Sequence, residues 1–559
     1  MSKAKKWEIR HPESLDAKKF TSQQLITLLL ENRGLTSKKD QEAFLNPSLA
    51  MVTPKSVGID EKDLQKTIKR IEQAIASQEQ IIVFGDYDVD GITGAAILWE
   101  TLHRIGAKCL PYIPNRVDEG YGLSIKGIEN AQSSIPDIKL IITVDNGIVA
   151  NEAVTFANEK SIDVIITDHH TIGEALPDAF SIVHTTKLCG AGVAYLLTKE
   201  LIKGKDDVFE DIHLELAALG TVADLVPLTN ANRAIVMAGL KKLQTTSRHG
   251  LLALYNQAGI KQDAIGVYDI GYIIGPRLNA AGRIESAMES LRLLCTKDSA
   301  RATLLASKLE ITNKERQQLL KAAAEHAIAG VRAEIENVDT QKKILVIGHE
   351  SYQEGVIGLV AGKLVEAFYR PAIVLSIGPT KSKASARSIS GFDIISFLRT
   401  HNEHFINVGG HPMAAGFTIE TTKVSDFKKL IETNAAEILD DALLIRSLKI
   451  DCELPFSVIN QALYTDLQKL APFGMGNPEP VFATRKVKIA NMRVMGREAN
   501  HLRLYLEQDG ETFEAVAFGM GALAAEMKVG DKIDVAYALD ENTWNGNTKL
   551  QLKVKDINN

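Results

Sequence analysis

Hydrophobic and polar positions follow two different periods along this chain, and the switches between them mark its parts. From about Lys62 to Ile75 the pattern LQKTIKRIEQAI repeats at helical spacing, and the run QIIVF from Gln80 to Phe84 is short and continuously apolar, as a strand buried on both faces must be. Two similar runs follow, KLIITVDNG ending at Gly147 and DVIITDHH ending at His170, separated by helix-length stretches rich in polar residues and alanine. This alternation predicts a parallel sheet flanked by helices.

Between Asp298 and Glu336 the only breaker is Gly330, and strong helix formers dominate, which predicts one long connecting helix. Beyond it, KILVIG, VIGLVAGKLVEAF and AIVLS predict a strand, a helix and a strand of a second α/β unit that closes near Leu439. After a transition from Asp440 to Gln468 the period becomes two, in KIDVAYAL and KLQLKV, with Asn545-Gly546 as a hairpin signal. A β-barrel of about five strands is predicted, OB-type or, on alternation alone, SH3-like. The expected fold class is therefore α/β. Its divisions are an N-terminal extension (1–60), a parallel-sheet domain (61–297), a connecting helix (298–336), a smaller α/β domain (337–439) and a transition segment with the barrel (440–559).

Length agrees with several domains, since 559 residues exceed the roughly 250–300 at which a single core stops growing. A formal charge of -6 means that any contact with nucleic acid must be local. Cys109, Cys189, Cys295 and Cys452 are widely spaced without a CxxC pair, which argues against a zinc ribbon or a disulfide framework and for a reducing cytoplasm. The opening MSKAKKWEIRHPES has no apolar run behind its basic residues, and no stretch reaches the ~20 apolar residues of a membrane span. A cytoplasmic protein without a membrane is expected.

Candidate chemistry sits at the ends of the apolar runs. Asp86, Asp88 and Asp90 in GDYDVDG follow the first, Asp145 in VDNG the second, and Asp168, His169 and His170 the third, so three strands deliver carboxylates and imidazoles to one sheet edge, where ligands of open α/β folds bind. Asp224 in LGTVADLVPL adds a fourth source, at the end of a helix beginning near His213. Taken alone, a DxDxDG run is more often a solvated turn or a calcium loop. The EF-hand option fails because the twelfth position, counted from Asp86, is Ile97 and not a bidentate Glu. Mixed carboxylate and imidazole ligation suits Mn²⁺ or Mg²⁺ better than zinc. Gly91 and Gly94 are expected to permit close backbone approach before a helix starts at AAILWETLHRI.

These motifs, with TVADLVPL, GPRLNAAGR (Gly275 to Arg283), SARS (Ser385 to Ser388), GGHPMAAG (Gly409 to Gly416) and PFGMGNPEPVF (Pro472 to Phe482), resemble the DHH/DHHA1 phosphoesterase family over most of the chain, and within it the single-strand-specific exonucleases. Phe84 stands where many relatives have a histidine four residues before the ligand aspartate, which favours that branch over the pyrophosphatase-like one. The resemblance implies a DHH domain, a DHHA1 domain joined by a long helix, and a C-terminal OB fold. It also implies 5′-to-3′ hydrolysis of single-stranded DNA to mononucleotides, with two cations roughly 3.5–4 Å apart activating water and stabilising the phosphate's charge. Asp88, Asp90, Asp145, His169 and Asp224 match the family's metal ligands, Asp145 as the bridge. Asp86 and Asp168 match a catalytic role as further ligands or as groups orienting them, and His170 matches the contact to the scissile phosphate.

DNA-binding candidates form three basic sets. Arg277, Asn279 and Arg283 are one, with the alternative that a structural loop pairs its arginines with acids such as Glu285. Lys381, Lys383, Ser385, Arg387 and Ser388, with Gly409, Gly410 and His411, resemble the DHHA1 substrate cleft, the alternative being a solvated basic edge strand. Arg116 and Tyr121 in PNRVDEGYGL are the third, as phosphate contact and as stacking or packing ring. In the barrel, Phe473, Arg493, Arg497, His501 and Trp544 are candidates for a track along the strand. Family resemblance further implies single-strand-binding protein and a RecQ-type helicase as partners in recombination and repair, and a monomer. The rivals are a DHH phosphodiesterase for short oligonucleotides or cyclic dinucleotides, and a non-catalytic single-strand-binding scaffold. An extended C-terminal barrel weighs against the first and the full set of acids against the second.

Overall fold

The structure, a computed structural model, describes residues 5–11, 20–115, 119–204, 213–284, 286–337, 342–544 and 547–558. Arg116, Glu285 and the Asn545-Gly546 signal lie outside these residues, as does the side chain of Trp544. The chain divides into two compact units.

One unit comprises Asp16–Asn313 and Val458–Pro480. Its five-stranded sheet runs in the order Cys109–Tyr112, Gln80–Gly85, Ile138–Val144, Asp163–Asp168, Ser181–His184, every neighbouring pair parallel. The continuous apolar runs have a direct cause here. Ile81, Val83, Ile142, Val144 and Ile165 belong to one buried cluster, and Ile82, Phe84, Ile141, Val164 and Ile166 to another, so alternate side chains of each strand enter different cores. Helix Val89–Arg104 packs on helices Gly190–Leu201 and Leu214–Ala223.

Three details depart from expectation. The helix after the first acidic run starts at Val89, earlier than expected, because Asp88 caps it with Oδ1 accepting the amides of Asp90 and Gly91. Glycine is needed at 91: a Cβ there would meet backbone atoms of Asp86 at 2.6 Å. GPRLNAAGR is not a loop but helix Gly275–Ile284, continuing a π-helical turn at Ile270–Ile274. Phe473, expected in the barrel, belongs to this unit, since its segment is held by Leu228 N–H donating to Met475 O at 2.7 Å and Arg233 Nη2 donating to Ala471 O at 2.7 Å.

The other unit comprises Met1–Leu15, Lys314–Ser457 and Val481–Asn559. Helix Ser299–Asn337, 39 residues long, carries the chain into it. A mixed sheet follows in the order Phe405–His411, Ala414–Glu420, Lys381–Arg387, Ala372–Ser376, Leu345–His349, with only the last pair parallel. The basic strand Lys381–Arg387 is thus central, not an edge; its small residues Ala384 and Ala386 are buried while lysines alternate outward. At the C-terminus, Phe482–Met495, His501–Gln508, Glu511–Ala517, Asn547–Asn558 and Lys532–Trp544 form a five-stranded barrel closed by pairing of the first with the last. Strand Ser447–Glu453 extends that sheet, and Lys6–His11 from the expected N-terminal extension pairs parallel with it. Among the described residues no helix is long and apolar enough to cross a membrane, and all four cysteines are free.

Candidate active site and metal centre

Parallel register brings the ends of three strands to one edge. Gly85 pairs with Val144, so Asp86 and Asp145 leave the sheet side by side, and Asp145 N–H donates to Thr167 O beside Asp168. Asp145 holds a left-handed backbone, φ 64°, costing about 1–3 kcal/mol for a residue other than glycine. Buried Asn146 maintains it: Nδ2 donates to Phe84 O and Val144 O, and Oδ1 accepts the Leu123 amide. Asp90 is fixed from the opposite side by the start of helix Gly190–Leu201, whose Gly190 and Ala191 amides donate to its two oxygens at 2.6 and 2.8 Å. Gly190 has no room for a side chain, because a Cβ would stand 2.5 Å from that of Asp145. Asp224 caps the C-terminus of helix Leu214–Ala223. Sequence reasoning missed Asn146, Gly190 and Ala191; the small-residue run CGAG opening an apolar helix was the available signal.

The edge collects more negative charge than the protein neutralises. Burial, then Asp90, Asp88 and Asp86, drives the Asp145 carboxyl well above the usual range; burial, then Asp90 and Asp88, pushes Asp224 up to about 9; burial and Asp90 also raise Asp88. Asp168 behaves oppositely. Burial disfavours its charge, yet the hydrogen bond with His170 Nδ1 at 2.8 Å and backbone amides of Ile148, His169 and His170 hold it below the usual range. His170 in turn is raised, despite burial, by Asp168, and its carbonyl accepts from His184 Nε2. Burial lowers His169.

Whether this donor set fits a cation can be judged from atoms left over. Buried Asp145 Oδ1 and His169 Nε2 lie 3.1 Å apart without a hydrogen-bond partner, and His169 Nε2 is 3.7 Å from Asp90 Oδ2 and 3.6 Å from Asp224 Oδ2. Three overlapping groups have ligand atoms within 4.8 Å of one another: Asp90, His169 and Asp224; Asp86, Asp88 and Asp145; Asp145, His169 and His170. Oxygen and imidazole donors of this kind suit hard divalent cations. Asp145 and His169 are each shared by two groups, so the edge can hold more than one ion.

Other expected residues fall into three situations. Asn279 and Gly282 brace the acidic loop: Asn279 Oδ1 accepts the Val89 amide at 3.0 Å, and a Cβ on Gly282 would meet Tyr87 O at 2.7 Å. Arg277 is paired with Glu310 at 2.7 Å, and Arg283 is half-buried on the same helix. Tyr121 is brought to the metal edge, its hydroxyl 3.0 Å from His170 Nε2 and donating to Asp145 O. In the second unit, Arg387 Nη1 donates to Ser385 Oγ and Ala386 O, with Gly358 of helix Ile357–Phe368 packed against both side chains. Gly409, Gly410 and His411 lie exposed on the outer strand, whereas Ser388 is buried and donates to Phe392 O, which turns it inward from the expected DNA-facing row. Arg493, Arg497 and His501 lie on or between the first two barrel strands.

A parallel sheet whose strand ends converge on carboxylates and imidazoles defines a phosphoesterase of the DHH class, and family profiles agree: the DHH family, N-terminal domain, matches residues 80–221, the DHHA1 domain 341–437 and the RecJ OB domain 450–556. The single-stranded-DNA-specific exonuclease RecJ of Bacillus subtilis is 35% identical over 569 residues, 99% of this chain and 70% of that protein. The chain belongs to the RecJ family. The crystal structure of RecJ in complex with Mn²⁺ from Thermus thermophilus superposes with a TM-score of 0.84 at 29% identity, covering 100% of this chain and 80% of that one. The Mg²⁺ complex from the same organism gives 0.77 at 28%, covering 99% and 78%.

Proposed function

We propose that this chain is a metal-dependent exonuclease that hydrolyses single-stranded DNA from its 5′ end and releases 5′-mononucleotides. The observation that carries it is the set of overlapping ligand groups at the sheet edge, sharing Asp145 and His169, in a member of this family. Asp88, Asp90, Asp145, His169 and Asp224 would hold two divalent cations, Mn²⁺ or Mg²⁺, with Asp145 common to two ligand groups and Asp86 a member of one of them. When bound, the cations acidify water and neutralise the charge that builds on the phosphate during in-line displacement. The Asp168 hydrogen bond at Nδ1 fixes the ring of His170 and favours its protonated form, the form that can donate toward a phosphate oxygen. The Gly190–Leu201 helix holds Asp90 in place before any substrate arrives.

Arg283, Ser385, Arg387, the backbone of Gly409 and Gly410, and His411 are assigned to the strand's phosphates, and Arg277 and Asn279 to support of the acidic loop. We extend the proposal to the domain divisions drawn from sequence, to a cytoplasmic monomer, and to recombination and repair, where single-strand-binding protein and a RecQ-type helicase expose strands for it.

End-labelled single strands, duplexes and RNA incubated with protein and Mn²⁺ or Mg²⁺ test this. Labelled mononucleotide should appear at once from 5′-labelled single-stranded DNA and late from 3′-labelled strands. Release first from the 3′ label would overturn the polarity, and equal attack on RNA the substrate class.

A further inference from the structure

The helix Val89–Arg104 has the acidic edge at its N-terminus and a cavity at its C-terminus, roughly 22 Å away at 1.5 Å per residue. The cavity is about 880 Å³ and lies within the first unit. Its walls carry three features that belong together. One is aromatic: Trp99 and His103, one turn apart, stack with ring centroids 5.5 Å apart and planes 16° from parallel. Another is cationic. Arg104, Lys242, Arg248 and Lys297 line the cavity, and the two carboxylates among its described lining residues, Glu100 and Glu215, both bind Arg248, at 2.7 and 3.2 Å. The third is the start of the ten-residue helix His249–Ala258, whose N-cap, Arg248, makes no side-chain capping bond, with the hydroxyls of Thr245, Thr246 and Ser247 just before it. Unsatisfied first-turn amides and the helix dipole favour an anion there.

A buried group supplies an independent sign. His213, 7% exposed, lines the same cavity, and its Nδ1 has no hydrogen-bond partner; Glu100 Oε2 lies 3.5 Å away without forming one. Its other nitrogen is engaged with Thr101 Oγ1 at 3.1 Å, which fixes the ring. A buried, oriented and unsatisfied ring nitrogen normally has a ligand or water as its partner.

We propose that this cavity binds a nucleoside monophosphate, with the phosphate at the start of helix His249–Ala258 between Lys242 and Lys297, the base along Trp99 and His103, and His213 Nδ1 bonding a polar atom of the ligand. The site is separate from the acidic edge and needs no cation.

The test uses the full chain in EDTA, which leaves phosphate no metal to bind at the acidic edge. Deoxyadenosine monophosphate, inorganic phosphate and deoxyadenosine are titrated in turn by calorimetry, with tryptophan fluorescence read in parallel. Deoxyadenosine monophosphate should saturate one site and change the fluorescence. Its affinity should fall about tenfold or more in the double variant Lys242→Glu, Lys297→Glu, whose circular dichroism verifies folding, and hold in Asp145→Asn. No saturation below about 10 mM, equal affinity in the charge-reversed variant, loss of binding in Asp145→Asn, or inorganic phosphate binding as tightly as the nucleotide would each overturn the proposal.

Discussion

The acidic edge of the parallel sheet and the glycine-bearing strand pair of the second unit are built on opposite principles. At the acidic edge Asp86, Asp90 and Asp145 are buried and Asp88, His169 and Asp224 half-buried, and backbone amides hold Asp88 and Asp90, with Asp145 in a left-handed conformation and Asp90 against a helix start. At the strand pair, Gly409, Gly410 and His411 are exposed on an outer strand, and Arg387 donates to a hydroxyl and a carbonyl of its own strand. A centre that binds metal for catalysis needs positions set in advance, because reorganising dipoles during reaction costs rate. A surface that follows a moving strand needs donors that re-form contacts. Chemistry should therefore depend on the first region and holding on the second.

The strongest test of that division is Asp145→Asn, in which asparagine tolerates the left-handed backbone and removes one charge. Its kcat on single-stranded DNA should fall by on the order of 10³-fold. Metal-free protein should melt higher, since a buried like-charge repulsion is relieved, and added Mn²⁺ should raise Tm less than in the parent. An unchanged kcat would end the assignment of Asp145.

Gly190→Ala comes next, with a methyl 2.5 Å from the Asp145 Cβ. Displacing the ligand without altering its chemistry should weaken Mn²⁺ binding by about 10–100-fold in a metal titration. Normal affinity would mean that the helix start yields and the edge is less rigid than described.

For the second region, Arg387→Ala should raise KM for single strands about tenfold at moderate salt with kcat nearly kept, and flatten log affinity against log salt by about one unit. A collapse of kcat with KM unchanged would erase the distinction between the regions. The smallest effect is expected from Asn279→Ala, which removes the bond to the Val89 amide: a loss of about 0.5–1.5 kcal/mol in thermal or denaturant stability and a few-fold loss in activity.

The residues that the fold gathers at the acidic edge were legible in sequence, because a strand buried on both faces is a continuous apolar run and groups at the sheet edge must follow its last residue. Asp86, Asp145 and the Asp168 cluster each stand there. The supports were less legible. Asn279 stands among basic residues and looks like a phosphate contact, and only folding shows its oxygen occupied by the amide of Val89, 190 residues earlier. Ser388 sits in a basic row, and only the turn it closes shows it buried.

By itself, then, the order of residues determined the alternation of strand and helix, the acids at strand ends, the long helix and the closing barrel, all properties of neighbours along the chain. Tertiary structure alone decided that Asp145 and His169 are each shared between ligand groups, and that Gly190 and Ala191 hold Asp90. It also decided that Lys381–Arg387 is a central strand, that Phe473 leaves the barrel for the first unit, and that Lys6–His11 joins the barrel sheet. These outcomes depend on pairings between segments far apart in sequence, and local periodicity carries no information about which partner such a segment will meet.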